Sequence, residues 1–173
     1  MDKYRGFAPE RVVEMINSLR KEYCCNHFVF HDDELPPGRL KLLSLAIIEK
    51  KIDTVFFYGY GRLIHNFLED ALLDTMKMAG FRAMAWGLES GSQKVIDLMR
   101  KGTTVSLSGE ILKKFHERGM LNLCFFFFGF PGETEADASE TVELLKRNAD
   151  YIHLLIYGVF VVNRSAPVWR DCD

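Results

Sequence analysis

Residues 31–34 read His-Asp-Asp-Glu and follow directly on Phe28, Val29 and Phe30, a short apolar run of high strand propensity. Carboxylates delivered to the tip of a buried strand are costly unless a cation or water meets them, so this segment is either a solvated turn or a site. Four more segments place charge or glycine straight after apolar runs: "GYGR" from Gly59, "GLESGSQ" from Gly87, "GFPGET" from Gly129 and "NRSAP" from Asn163. If these are strand ends on one face, Asp32, Asp33 and Glu34 share a cleft with Tyr58, Tyr60, Arg62, Glu89, Ser90, Gly129, Glu133 and Arg164. The competing reading is that acids at strand ends cap the next helix or meet water.

Two of the loops have a structural role to weigh against a functional one. Gly87 and Gly91 permit close backbone approach, and Ser92 can cap the helix that follows. Thr134 is placed to cap the next helix, with Asp137 at the capping-box position. Neither glycine loop has the lysine and spacing of a P-loop or the full Rossmann fingerprint. His31 is the one histidine at an expected strand end, as a ligand, a proton relay or a polar cap. The four cysteines, Cys24, Cys25, Cys124 and Cys172, have neither zinc-site nor disulfide-framework spacing.

These segments require a scaffold that gathers strand ends. At 173 residues with 48% hydrophobic and 13% aromatic content, the chain can bury a sizeable core, and it reads as a single domain over residues 1–173. A net charge of -2 gives no general attraction to nucleic acid or anionic membrane. The longest apolar stretches fall short of the roughly 20 residues a membrane helix needs, and the polar "DKYRG" after Met1 is no secretory signal, so a cytoplasmic location is expected.

Strand-like runs begin near Phe28, Thr54, Phe81, Leu121 and Tyr151, and helical patterns cover 9–23, 39–50, 65–79, 92–100, 107–118 and 135–147. Gly80 and Gly119 stand where helix C-terminal glycines belong. Runs apolar on both faces, such as "MLNLCFFFFGF", call for a parallel sheet covered by helices. Five strands are too few for a complete eight-fold barrel of about 250 residues, and the first element is a helix. The pattern predicts an α/β fold, an incomplete (β/α) barrel of about five parallel strands with a first strand missing, whose open edge at Phe28–Phe30 invites self-association.

In order along the chain, "FVFHDDEL", "WGLESGSQKVIDLMRKGTT" and "FFFFGFPGETEADASETVELLK" resemble the core of radical S-adenosylmethionine (SAM) enzymes, in particular the branch holding cobalamin-associated methyltransferases and relatives of oxygen-independent coproporphyrinogen oxidases and methylthiotransferases. The likeness runs from about Tyr4 to Pro167 and implies a partial barrel of six β-α units. It implies reductive cleavage of S-adenosylmethionine to a 5'-deoxyadenosyl radical, for substrate modification or methyl transfer. By the same resemblance Asp32, Asp33 and Glu34 hold the cofactor's amino group, Glu89 its ribose hydroxyls with Ser90 beside it, and Lys101 or Arg100 its carboxylate. The backbone of Gly129 to Pro131 lies against adenine.

The family's CxxxCxxC loop, which ligates a 4Fe-4S cluster, is absent from these residues. Cys24 and Cys25 cannot replace it, because they end the first helix instead of following the first strand. The expectation is a truncated core whose complete protein carries the cluster, with any cobalamin held by a domain outside the chain and with a small-molecule substrate that these residues do not identify. A scaffold that binds S-adenosylmethionine without catalysis stays open. A signalling module of the receiver type is disfavoured, since "VFFYGYGR" has no phosphoacceptor aspartate.

Overall fold

The computed structural model describes residues 6–52 and 56–162, with the backbone alone for Phe56 and Phe57. The expected strand start at Thr54, Arg164 with the rest of "NRSAP", and Cys172 lie outside the described residues. The elements are α1 (Pro9–Tyr23), β1 (His27–Val29), α2 (Pro37–Glu49), β2 (Phe56–Gly61), a 3-10 turn (His65–Leu68), α3 (Asp70–Met78), β3 (Phe81–Glu89), α4 (Gln93–Leu98), α5 (Val105–Glu117), β4 (Leu121–Phe128), α6 (Glu135–Arg147), a 3-10 turn (Ala149–Tyr151) and β5 (Leu154–Val159).

All four strand pairings are parallel, and the order in the sheet is the order in the chain, β1-β2-β3-β4-β5. Each β-α unit therefore advances one strand in the same direction, which curls the sheet into a half-barrel; a doubly wound sheet would reverse its strand order at a switch point. Gly80 and Gly119, with φ of 96° and 69°, turn the chain from α3 and α5 into β3 and β4. Glycine takes this left-handed backbone at no steric cost.

The core lies between the sheet and its helices. Trp86 of β3 meets Phe67 and Phe115 edge-on, at centroid distances of 5.0 and 4.9 Å. The indole N–H would be stranded there, and it donates to Asn122 Oδ1 at 2.8 Å. Asn122 is fully buried yet satisfied: its Nδ2 donates to the carbonyls of Leu112 and Tyr151, and its backbone N–H donates to His153 Nδ1. This hub ties β3, β4, α5 and the approach to β5 together.

Two elements depart from the sequence pattern. The helix expected over 65–79 is interrupted at Glu69, whose φ and ψ of -70° and 110° are extended, and the turn before it buries Phe67 completely. The last strand starts at Leu154, because residues 149–151 form a 3-10 turn. It is also not buried on both faces: every residue of β5 is exposed among the described residues, Tyr157 at 75%. At the other end of the sheet, the edge strand β1 and α1 flank an apolar groove of about 610 Å3 lined by Ile16, Phe28 and Leu43.

Candidate functional site

The C-terminal ends of β1, β2 and β3 enclose a cleft of about 290 Å3 in which Asp33, Glu34, Arg62, Glu89 and Lys101 meet above Tyr60, Gly87 and Phe125. Four of these five charges are paired with each other. Lys101 Nζ lies 2.6 Å from Glu89 Oε1, and Arg62 Nη2 lies 3.2 Å from Glu34 Oε2.

Glu89 reaches this position through local strain. Its φ of 63° puts a non-glycine residue in left-handed backbone at the end of a strand, and the β3-β4 register slips by one residue between Gly87 and Glu89. A bulge of this kind re-aims a side chain at a sheet rim. Gly87 clears the space, since a Cβ there would stand 2.5 Å from Glu89 Oε1. The next residues clamp the loop onto α6: Ser90 Oγ lies 3.1 Å from Thr141 Oγ1, Gly91 N–H donates to the same hydroxyl at 2.8 Å, and Ser92 Oγ donates to Asp137 Oδ1 at 2.8 Å. Ser92 occupies the N-cap position of α4, but its hydroxyl serves Asp137 instead of the cap.

Asp137 closes the capping box with Thr134 at the start of α6 and also receives Lys94 Nζ at 2.7 Å. Lys94 first, then Thr134 and Ser92, hold its carboxyl well below the usual carboxylate range.

Lys101 is set by a tight loop. Arg100 and Gly102 both have positive φ, Thr103 Oγ1 donates to the Leu63 carbonyl, and Thr104 caps α5 by accepting from Leu107 N–H. Gln93 stitches α4 to this loop, its Oε1 accepting from Val105 N–H at 2.9 Å.

Of the two tyrosines of β2, Tyr60 lines the cleft and Tyr58 packs against Tyr60. Their rings are 5.5 Å apart, and Tyr60 also lies 5.9 Å from Phe125 and 6.4 Å from His31. Burial, reinforced by Tyr60, pushes the Tyr58 phenol up to about 12, so it stays protonated at neutral pH and can donate but not act as a base.

The structure thus brings together Asp33, Glu34, Glu89 and Lys101. Asp32 lines the groove beside β1 instead, because successive side chains at a strand end point to opposite sides. Ser90 is 1% exposed and faces α6. Gly129 and Pro131 stand beyond the end of β4, where Pro131 and Gly132 occupy the corners of a turn closed by Glu133 N–H to the Phe130 carbonyl at 2.9 Å. Gly132, with φ of 88°, is the glycine a type II turn requires after proline. The Gly129 N–H donates to Glu133 Oε2. Arg62, expected in the cleft from its strand-end position, does line it, and its partner there is Glu34.

Among the described residues, no three cysteines lie together. Cys24 and Cys25 follow α1 and precede β1, at the opposite end of the strands from the cleft, and Cys124 is fully buried in β4, where burial pushes its thiol up to about 12. Among the described residues no three His, Cys, Asp or Glu side chains converge as metal ligands, and no helix is long and apolar enough to cross a membrane.

A family model described as the radical SAM superfamily matches residues 1–145. An uncharacterized methyltransferase of Pyrococcus horikoshii is 26% identical over 155 residues, covering 89% of this chain and 34% of that protein. The anaerobic magnesium-protoporphyrin IX monomethyl ester cyclase of Rubrivivax gelatinosus is 25% identical over 156 residues, covering 89% and 28%. The chain therefore spans about a third or less of these relatives. Among solved structures, the radical S-adenosylmethionine methyltransferase TsrM from Kitasatospora setae superposes with a TM-score of 0.77 at 18% identity, over 87% of this chain and 28% of that one. Coproporphyrinogen III oxidase (HemN) from Escherichia coli gives 0.64 at 14% identity, over 94% and 40%. At these identities the two structures speak for the fold.

Proposed function

The chain belongs to the radical SAM superfamily, and on that premise we propose that it binds S-adenosylmethionine in the cleft at the ends of β1, β2 and β3 and presents it for radical chemistry, with methyl transfer or another modification of a small molecule as the outcome. The observation that carries this reading is Glu89, a strained carboxylate held inward over a glycine. Backbone strain at a strand end persists where the surroundings over-determine it, and such positions cluster at binding sites.

Glu89 accepts the ribose hydroxyls, and Ser90 fixes Glu89 from behind through its bond to Thr141. Asp33 and Glu34, with Asp32 at the rim, attract the ammonium of the methionyl group. A cation of the cleft takes the carboxylate, as Lys101 does in the family resemblance. The cleft is at the small end of the range for ligand sites and suits the polar half of the cofactor. The adenine extends past Phe125 toward the backbone of Gly129 to Pro131. The cysteines at hand do not suit a 4Fe-4S cluster, so its ligands and any cobalamin-holding part belong outside residues 6–162 in this reading. A cytoplasmic location and self-association along the β1 edge complete the proposal.

Calorimetric titration with S-adenosylmethionine tests it. Glu89→Gln should weaken binding by about 1–3 kcal/mol, the range for hydrogen bonds to charged groups. Unchanged affinity would remove Glu89 from the site.

A further inference from the structure

Resting on that reading, the cofactor's carboxylate has two cations to choose from in the cleft, Lys101 and Arg62. We propose that Arg62 receives it, by an exchange of partners: Arg62 leaves Glu34, Glu34 takes the ligand's ammonium, and Arg62 takes the ligand's carboxylate. Lys101 remains on Glu89 and acts as a positioning residue.

The two resting ion pairs differ in the ways that decide this. The Lys101–Glu89 contact is short, 2.6 Å, and the Glu89 side chain is only 16% exposed. Withdrawing the ammonium would leave a largely desolvated carboxylate uncompensated, which is strongly unfavourable. It would also loosen the side chain that meets the ribose.

The Arg62–Glu34 pair is longer, 3.2 Å, and its side chains are 48% and 35% exposed. A pair this solvated adds little to stability, so exchanging it costs little. Glu34 Oε2 meets Arg62 at Nη2. A guanidinium has a planar fork of five N–H donors that fits a carboxylate with two parallel bonds, and an ammonium does not. A free carboxylate arriving in the cleft can therefore bind Arg62 better than Glu34 does from its own backbone.

The exchange also conserves charge. Before it, Glu34 is paired with Arg62 and Glu89 with Lys101. After it, Glu34 faces an ammonium, Arg62 a carboxylate and Glu89 still Lys101, so each of these four side chains keeps a partner of opposite charge at both stages.

The test compares two ligands across three variants of the chain. S-adenosylmethionine and its decarboxylated analogue are titrated calorimetrically into the unaltered chain, Arg62→Gln and Lys101→Gln. Arg62→Gln should weaken S-adenosylmethionine about 10- to 100-fold, as expected for a charged bidentate contact. The same variant should weaken the decarboxylated analogue by no more than about threefold, since only a solvated pair with Glu34 is lost. Lys101→Gln should weaken both ligands alike. Arg62→Lys, which keeps the charge but not the fork, guards against a folding defect and should lose affinity for the carboxylate-bearing ligand alone, with an unchanged melting temperature. Equal losses for both ligands on Arg62→Gln, or a carboxylate-dependent loss on Lys101→Gln instead, would overturn the assignment while leaving the site in place. Failure of the unaltered chain to bind either ligand would refute the site and this assignment with it.

Discussion

Gly91→Ala should be among the most damaging single-methyl additions this fold can suffer. A Cβ at residue 91 would stand 2.4 Å from Thr141 Cα and 2.7 Å from the Glu140 carbonyl oxygen. Both are backbone atoms of α6, so no side-chain rotation relieves the clash. The helix must retreat by about 1 Å to restore ordinary contact, and overpacking of this kind costs about 1–3 kcal/mol. Retreat also lengthens three bonds across the same seam: Gly91 N–H to Thr141, Ser90 to Thr141, and Ser92 to Asp137. At about 0.5–1.5 kcal/mol each, partial loss brings the total to about 3–5 kcal/mol. For a chain of this size that lowers the melting temperature by about 6–20 °C. Gly38→Ala is the matched control, because nothing lies within 4 Å of its Cβ and it sits in the first turn of α2. It should raise stability by about 0.4–1 kcal/mol. Urea unfolding followed by circular dichroism measures both. A Gly91→Ala cost within about 1 kcal/mol of zero would mean that the seam between the 87–92 segment and α6 is not tightly packed, and the account of how Glu89 is held would fall with it.

Gly87→Ala should separate binding from stability: its Cβ collides at 2.5 Å with the free end of the Glu89 side chain, not with backbone, so unfolding should change by less than about 1 kcal/mol while affinity for S-adenosylmethionine drops. Asp137 carries a lowered carboxyl pKa in the folded state, so the unfolded chain binds the proton more readily and the stability Asp137 contributes is present above the ordinary carboxylate value and is lost as pH falls below about 4. Asp137→Asn should therefore be less stable at pH 7 and show a flatter loss between pH 5 and pH 3, read from urea midpoints; parallel acid profiles would contradict this. Iodoacetamide at pH 8 should modify Cys24 in the native chain and spare Cys124 until unfolding, because Cys24 is exposed while burial keeps the Cys124 thiol protonated; mass spectrometry of the labelled peptides decides.

Where local chemistry marks a boundary, the sequence predicts the element well. Pro9 opens α1 and the Thr134–Asp137 capping box opens α6, and the helices over 9–23 and 135–147 run as their patterns require. Gly80 and Gly119 likewise announce β3 and β4. Boundaries set by tertiary demand are silent. Nothing in "HNFLED" signals that Phe67 must turn inward between Trp86 and Phe115, which is what breaks the expected helix before Asp70. The run from Tyr151 to Val159 is uniformly apolar apart from His153, so its strand start is fixed instead by Asn122, which binds the Tyr151 carbonyl from β4. The site divides in the same way. Residue types and strand-end spacing are enough to gather Asp33, Glu34, Arg62 and Glu89, whereas Lys101, in the loop after α4, is indicated only by the family resemblance. Sequence does not disclose that Lys101 and Glu89 are each other's partner, that Asp32 faces the β1 groove, or that Ser90 is spent on Thr141, 51 residues away.

The six residues 87–92 show why a short motif can be read as both structural and functional and be both. Gly87 is small because a carboxylate occupies its side-chain space, and Leu88, 1% exposed, turns the other way into the core. Glu89 takes a backbone conformation that costs an L-residue about 1–2 kcal/mol. Its ion pair with Lys101, once the desolvation of Glu89 is set against the attraction, returns too little net stability to offset that strain. The balance is supplied by the next three residues, where Ser90, Gly91 and Ser92 bind Thr141 and Asp137 of α6. Asp137 in turn is held by Thr134 and Lys94. The capping box at the start of α6 and the charge at the end of β3 are thus parts of one arrangement. The helix that follows β4 stabilises the strained end of β3, and the chain keeps an unfavourable residue there because the carboxylate it positions faces the cleft.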